Sequence, residues 1–123
     1  MHILLKKERE DTAKVYTLNT LSRELLTIGK YDTAILCANT AQILAKSLGF
    51  KKGIASAFSN SGLVFWYQGN YANALECDKK ALSINQEIDN KNGIASNFSN
   101  IGLVYWNQGN YFNALRSYSK ALG

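Results

Sequence analysis

The sequence predicts an all-α chain, a solenoid of stacked helical hairpins, and three observations lead there. The segment from Lys51 to Leu82 returns almost unchanged from Lys91 to Leu122, GIASAFSNSGLVFWYQGNYANALECDKKAL being answered by GIASNFSNIGLVYWNQGNYFNALRSYSKAL at a period of 40 residues. A fixed period of that size belongs to architectures whose units bury their apolar faces only by stacking on neighbours. Within each copy the apolar positions recur at spacings of three and four, the stripe of an amphipathic helix. Proline is absent and glycines fall at repeat-related places, which favours unbroken helices separated by defined turns.

The first unit is a diverged copy. Between Thr17 and Leu44 it sets Gly29, Tyr31, Ala34 and Ala41 in register with Gly69, Tyr71, Ala74 and Ala81, with Ser22 standing where the next unit has Gly62. Residues 1–10 fall outside the repeat as a lead-in, and the Met1-His2 start has the look of a cloning remnant. The three units are then 11–50, 51–90 and 91–123, the last without a capping helix.

In the second unit, Ile54, Phe58, Ser61, Gly62 and Phe65 define a first helix, A, from about Lys52 to Gln68. Ile94, Phe98, Ile101, Gly102 and Tyr105 repeat it in the third. The Gly69-Asn70 pair supplies a left-handed stop and an N-cap in two residues. A second helix, B, follows from Tyr71 to about Ile88, with Tyr71, Ala74, Leu75, Ala81, Leu82 and Ile84 as its buried face. So short a turn forces an antiparallel hairpin. Small residues at Gly62 and Ala74, and at Gly102 and Ala114, allow close approach of the two backbones. Asp89 and Asn90 form the next turn.

Composition sets limits on function. The 123 residues, 46% of them hydrophobic, suffice for one continuous core. No apolar run approaches the ~20 residues of a membrane span. The net charge of +5 admits an acidic partner. However, Lys6, Lys7, Lys51, Lys52, Lys79 and Lys80 are scattered over loops and helix flanks rather than forming the basic stripe of a nucleic-acid binder, so no nucleic acid is expected. Cys37 and Cys77 occupy the same place in consecutive units, one helix-packing step of ~10 Å apart, too far for a disulfide. They read as small packing residues, and no Cys/His cluster offers a metal site.

Gly62, Phe65, the QGNY turn from Gln68 to Tyr71, Ala74 and Ala81 together resemble the tetratricopeptide repeat signature. The third unit matches it through Gly102, Tyr105, Gly109, Tyr111, Ala114, Tyr118 and Ala121, and the first through Leu21, Leu25, Gly29, Tyr31, Ala34 and Ala41. A unit of 40 residues rather than 34, without the closing proline, is similar to kinesin light chain repeats, Pins-type scaffolds and the sensory arrays that precede bacterial kinases and cyclases. The resemblance implies a right-handed superhelix of three hairpins that binds an extended peptide or partner helix in its concave groove. It implies further that the chain is a fragment of a larger bacterial signalling or scaffold protein. The compartment stays open, cytoplasmic by default or a periplasmic sensory domain.

The resemblance assigns the groove to Ser56, Ser59, Asn60, Leu63 and Trp66, and to Ser96, Ser99, Asn100, Leu103 and Trp106. The two units agree at every one of these positions, whereas Ala57, Ser61, Tyr67 and Ala72 became Asn97, Ile101, Asn107 and Phe112. An Asn side chain can pair with both groups of a peptide backbone, so Asn60 and Asn100 suit a ladder for an extended ligand, with Thr20 beside Asn19 in the first unit. Equally, the same Asn residues suit bonds across adjacent A helices, and the Trp residues suit either a binding edge or the core. The carboxylate clamp of chaperone-binding repeats needs Lys or Arg beside Asn. Here the wall offers Ser and Leu with Arg23 as its one base, so capture of a C-terminal carboxylate is expected to be weak.

Catalysis finds no footing, since the one His is His2 and no nucleophilic, phosphate-binding or dinucleotide motif is present. No enzyme and no cofactor are expected, and Glu76, Asp78 and Glu87 read as helix-surface charges. The second functional reading is self-assembly, with Phe112, Leu115, Tyr118 and Leu122 forming an apolar end face through which copies stack.

Overall fold

A computed structural model describes residues 2–123, which form six helices and no strand. They are α1 (His2–Thr27), α2 (Tyr31–Ser47), α3 (Lys51–Tyr67), α4 (Tyr71–Glu87), α5 (Lys91–Asn107) and α6 (Tyr111–Leu122). Met1 of the expected leading remnant lies outside the described residues, and α1 runs without a break from His2 through the first repeat's A position.

The turns are built as their residues dictate. Gly29, Gly69 and Gly109 take φ of 81°, 76° and 78°, the left-handed region that glycine enters without cost from a Cβ. This lets the N–H of Lys30, Asn70 and Asn110 donate back to Leu25 O, Phe65 O and Tyr105 O at 2.8–2.9 Å, which closes each A helix. Asn70, Asn90 and Asn110 cap the following helices by accepting from Asn73 N, Gly93 N and Asn113 N. Lys30 and Phe50 hold the same place without a side-chain cap. Between the second and third hairpins Asp89 itself adopts φ 54°.

Consecutive helices pack antiparallel, and the A helices α1, α3 and α5 lie side by side along one wall. The core is made of small side chains, with Ala34, Ala41, Ala45, Ala57, Ala74, Ala81 and Ala114 sealed beside Val15, Val64 and Val104. Small residues let helix axes approach, so each buried methyl adds contact without separating the backbones. Of the expected stripes, Ser61, Gly62, Ile101 and Gly102 are buried, while Ile54, Phe58 and Phe65 are half-buried. Lys46 and Lys80 cover the Phe58 ring at 5.9 and 5.5 Å from its centroid. Cys37 and Cys77 are free thiols.

One expected surface charge is not at the surface. Asp78 is 2% exposed, because it occupies the position of Ala38 and Tyr118 on the side of helix B that faces helix A. Glu76 and Glu87 do lie outside, paired with Lys80 at 3.2 Å and with Lys51. Tyr118, expected at the end face, is half-buried with its ring against Gly102, where an added Cβ would meet it at 2.8 Å.

Candidate functional site in the groove

A cavity of about 300 Å³ opens between the A helices, with α1 contributing Tyr16, Asn19, Thr20 and Arg23, and α3 contributing Gly53, Ser56, Ser59 and Asn60. Asn85 and Asn90 at the end of the second hairpin, with Gly93 and Ser96 of α5, complete its lining. Every one of these side chains is polar or absent except for the ring of Tyr16, and Arg23 is the single charged group.

The floor of this cavity is a set of linked amides. Asn60 Nδ2 donates to Asn19 O and Oδ1 at 3.1 and 3.2 Å, and Asn19 Nδ2 donates to Gly53 O at 3.3 Å. Next to it, Asn90 Nδ2 donates to Asn85 Oδ1 at 3.1 Å, Asn85 Nδ2 to Asn97 Oδ1 at 2.6 Å, and Asn97 Nδ2 to Ser59 Oγ at 2.9 Å. Buried amides must be paired, and these pair across α1–α3, α4–α5 and α3–α5. Asn60, 5% exposed, therefore joins two A helices. The accessible polar groups at the rim are Thr20, Arg23, Ser56 and Ser96.

The remaining expected residues sit elsewhere along the wall. Leu63 packs on the cluster of Leu26, Ala34 and Val64. Trp66 is half-buried, its Nε1 donating to Asn107 Oδ1 at 2.6 Å across the junction with the third unit. Trp106 is exposed and stands edge-on to Tyr111, with ring centroids 4.7 Å apart. Ser99 is exposed, and Asn100 and Leu103 are half-buried. Tyr16, Asn85, Asn90 and the two glycines were not expected in the site. Counting back 40 residues from Ser56 gives Tyr16, so the repeat register already held that one residue, as it held Arg23 opposite Leu63.

Nothing in this lining supplies an acid–base pair, and among the described residues no group of three or more His, Cys, Asp and Glu could hold a metal ion. Cys77 stays a thiol, its pKa pushed up to about 11 by burial, then by Asp78 and Glu76 against the opposing pull of Lys80. Among the described residues no carboxylate comes within 4.0 Å of Arg23.

A family model described as tetratricopeptide repeat matches residues 53–123. No curated protein matches the chain. Among solved structures, the TPR domain of Arabidopsis FLU superposes with a TM-score of 0.83 at 20% identity, over 91% of this chain and 94% of that one. MamA does so with a TM-score of 0.50 at 24% identity, over 95% of this chain and 81% of that one. At such identities the likeness is one of fold.

Proposed function

Because the chain belongs to the tetratricopeptide repeat family, a protein-interaction fold, we propose that it holds an extended peptide segment of a partner protein in the groove between α1, α3 and α5. The observation that carries this reading is the lining of the cavity. Hydroxyls of Thr20, Ser56 and Ser96 stand at the rim of a floor whose amides are already paired. Such a surface suits the alternating N–H and C=O of an extended backbone. An amphipathic partner helix asks for an apolar trough, which this cavity is not. Arg23, the one cation of the lining, with no carboxylate within 4.0 Å among the described residues, favours a ligand with an acidic side chain at the α1 end. The scaffold acts by positioning, without chemistry of its own, as one module of a larger signalling or scaffold protein.

The test is selection of 12-residue peptides from a random display library against the whole chain, followed by calorimetric titration. Ser56→Trp and Ser96→Trp fill the groove from the solvent side and are expected to abolish binding of the selected peptides while leaving the melting temperature unchanged. Peptides that bind both variants as tightly as the parent would remove the groove from the reading.

A second reading is self-assembly. Phe112, Leu115 and Leu122 on α6 are 72%, 61% and 92% exposed; Leu75 and Leu82, the counterparts of the last two on α4, are half-buried, whereas Ala72, the counterpart of Phe112, is exposed.

A further inference from the structure

The geometry points to a proton-operated latch in the central hairpin: Asp78, held between α3 and α4, locks the two helices together when its carboxyl carries a proton and loosens them when it is ionised. This rests on the packing of the hairpin alone and is independent of what the groove holds.

Asp78 lies on the side of α4 that packs against Gly62 of α3. A Cβ built on Gly62 would stand 2.5 Å from Asp78 Oδ1 and 3.4 Å from the carbonyl oxygen of Ala74. Oδ1 is sealed from solvent and has no hydrogen-bond partner among the described residues. An ionised carboxylate there is an acceptor without donors, which is costly. The other two units show what the position takes otherwise. In the first, Ala38 leaves room and Ser22, in the place of Gly62, donates its hydroxyl to Ala34 O at 2.7 Å. In the third, Tyr118 fills the space against Gly102. The helix B carbonyl at this level is thus able to accept a second hydrogen bond, as Ala34 O does. In the second unit a protonated carboxyl of Asp78 is the donor at hand for Ala74 O.

The surroundings offer no competing charge. On α4 itself the neighbours are Glu76, Cys77, Lys79 and Lys80, with Glu76 and Lys80 paired to each other outside. From α3 the titratable groups are Lys51 and Lys52 at one end and Tyr67 at the other, and from α5 they are Lys91 and Tyr105. Burial alone drives the Asp78 carboxyl up from 3.8 to about 7. A folded value above the unfolded one means that the native state takes up the proton between about pH 4 and pH 7. The stabilisation is therefore complete below pH 4 and is lost as pH rises through 7.

The carboxyl carbon of Asp78, followed by NMR in the isotope-labelled chain from pH 4 to 9, reads this directly. A midpoint near neutrality is the expected result; a midpoint in the ordinary carboxylate range, around 4, overturns the latch. Thermal melts at pH 5 and pH 8 provide the second readout. Relative to Asp78→Asn, the parent is expected to lose about 5 °C or more across that interval, and a parallel pH profile in parent and variant also overturns the proposal. Asp78→Ala, which copies Ala38 of the first unit, serves in place of the Asn variant if that one fails to fold.

Discussion

Gly62 is glycine because of one oxygen atom. A serine is accommodated at the same place in the first unit, where Ala38 faces Ser22, but in the second the Asp78 carboxylate occupies the space at 2.5 Å. Gly62→Ser alone is expected to destabilise the chain by about 1–3 kcal/mol through overpacking. Combined with Asp78→Ala it recreates the Ser22/Ala38 pair, so urea denaturation should find the double variant more stable than the Gly62→Ser single. Additive effects would show that the two side chains do not share a site. The sequence announced a small residue at this position and ascribed it to the approach of the two backbones, but the nearest atom is the Asp78 carboxyl oxygen, with Ala74 O behind it at 3.4 Å. Asp78 was missed because an aspartate flanked by Glu76, Lys79 and Lys80 looks like part of a solvated charged face. The helical register opposite Gly62, where Tyr118 and Ala38 are its counterparts, was the signal that placed it inside.

At the scale of the element, helix ends were more legible than helix faces. Turn chemistry is local, so Gly69 and Asn70 placed the end of α3 and the start of α4 within a residue. The polar floor depends on which helices lie side by side, and no window of sequence contains Asn85 and Asn97 as neighbours. Asn90 joins both levels, since it caps α5 at Gly93 N and donates to Asn85. Asn90→Ala is therefore expected to cost about 1–2 kcal/mol more than Asn70→Ala, whose loss is that of a cap alone, about 1 kcal/mol. Chemical denaturation of the two variants makes the comparison, and equal losses would detach Asn90 from the floor. Asn60→Ala is expected to cost about 1–3 kcal/mol by leaving Asn19 Oδ1 unpaired in the α1–α3 contact. A melting temperature equal to the parent's would return Asn60 to the ligand side of the groove.

Across the whole molecule, the face of α6 is the open counterpart of the face that α4 turns toward α5. Phe112 and Leu115 point away from the third hairpin, whereas Tyr118 is committed to Gly102 within it. Apolar patches of this kind favour association, and the two ends of a solenoid differ, so copies would join head to tail. The 123-residue chain is expected to show a mass that grows with concentration in multi-angle light scattering, and Phe112→Glu with Leu115→Glu to hold it at the monomer. A monomer at every concentration, or association indifferent to both changes, excludes this face.

The two junctions between hairpins are cut to different keys. Where the first unit meets the second, Ala45 lies at the position that the next junction gives to Asn85, and Ala57 at that of Asn97. At this level the first junction is an apolar contact, its amides lying instead between α1 and α3, and the second is an amide pair closed at 2.6 Å. Exchanging α3 with α5 would set Asn97 opposite Ala45 and Ala57 opposite Asn85, stranding a buried amide at each seam at about 1–3 kcal/mol apiece. Copies so nearly identical in sequence invite duplication, deletion and reshuffling of units, yet each seam accepts only its own neighbour. The array carries its serial order in two pairs of side chains, and a chimera with its units transposed is expected to regain the lost stability when Asn85 and Asn97 are carried across together.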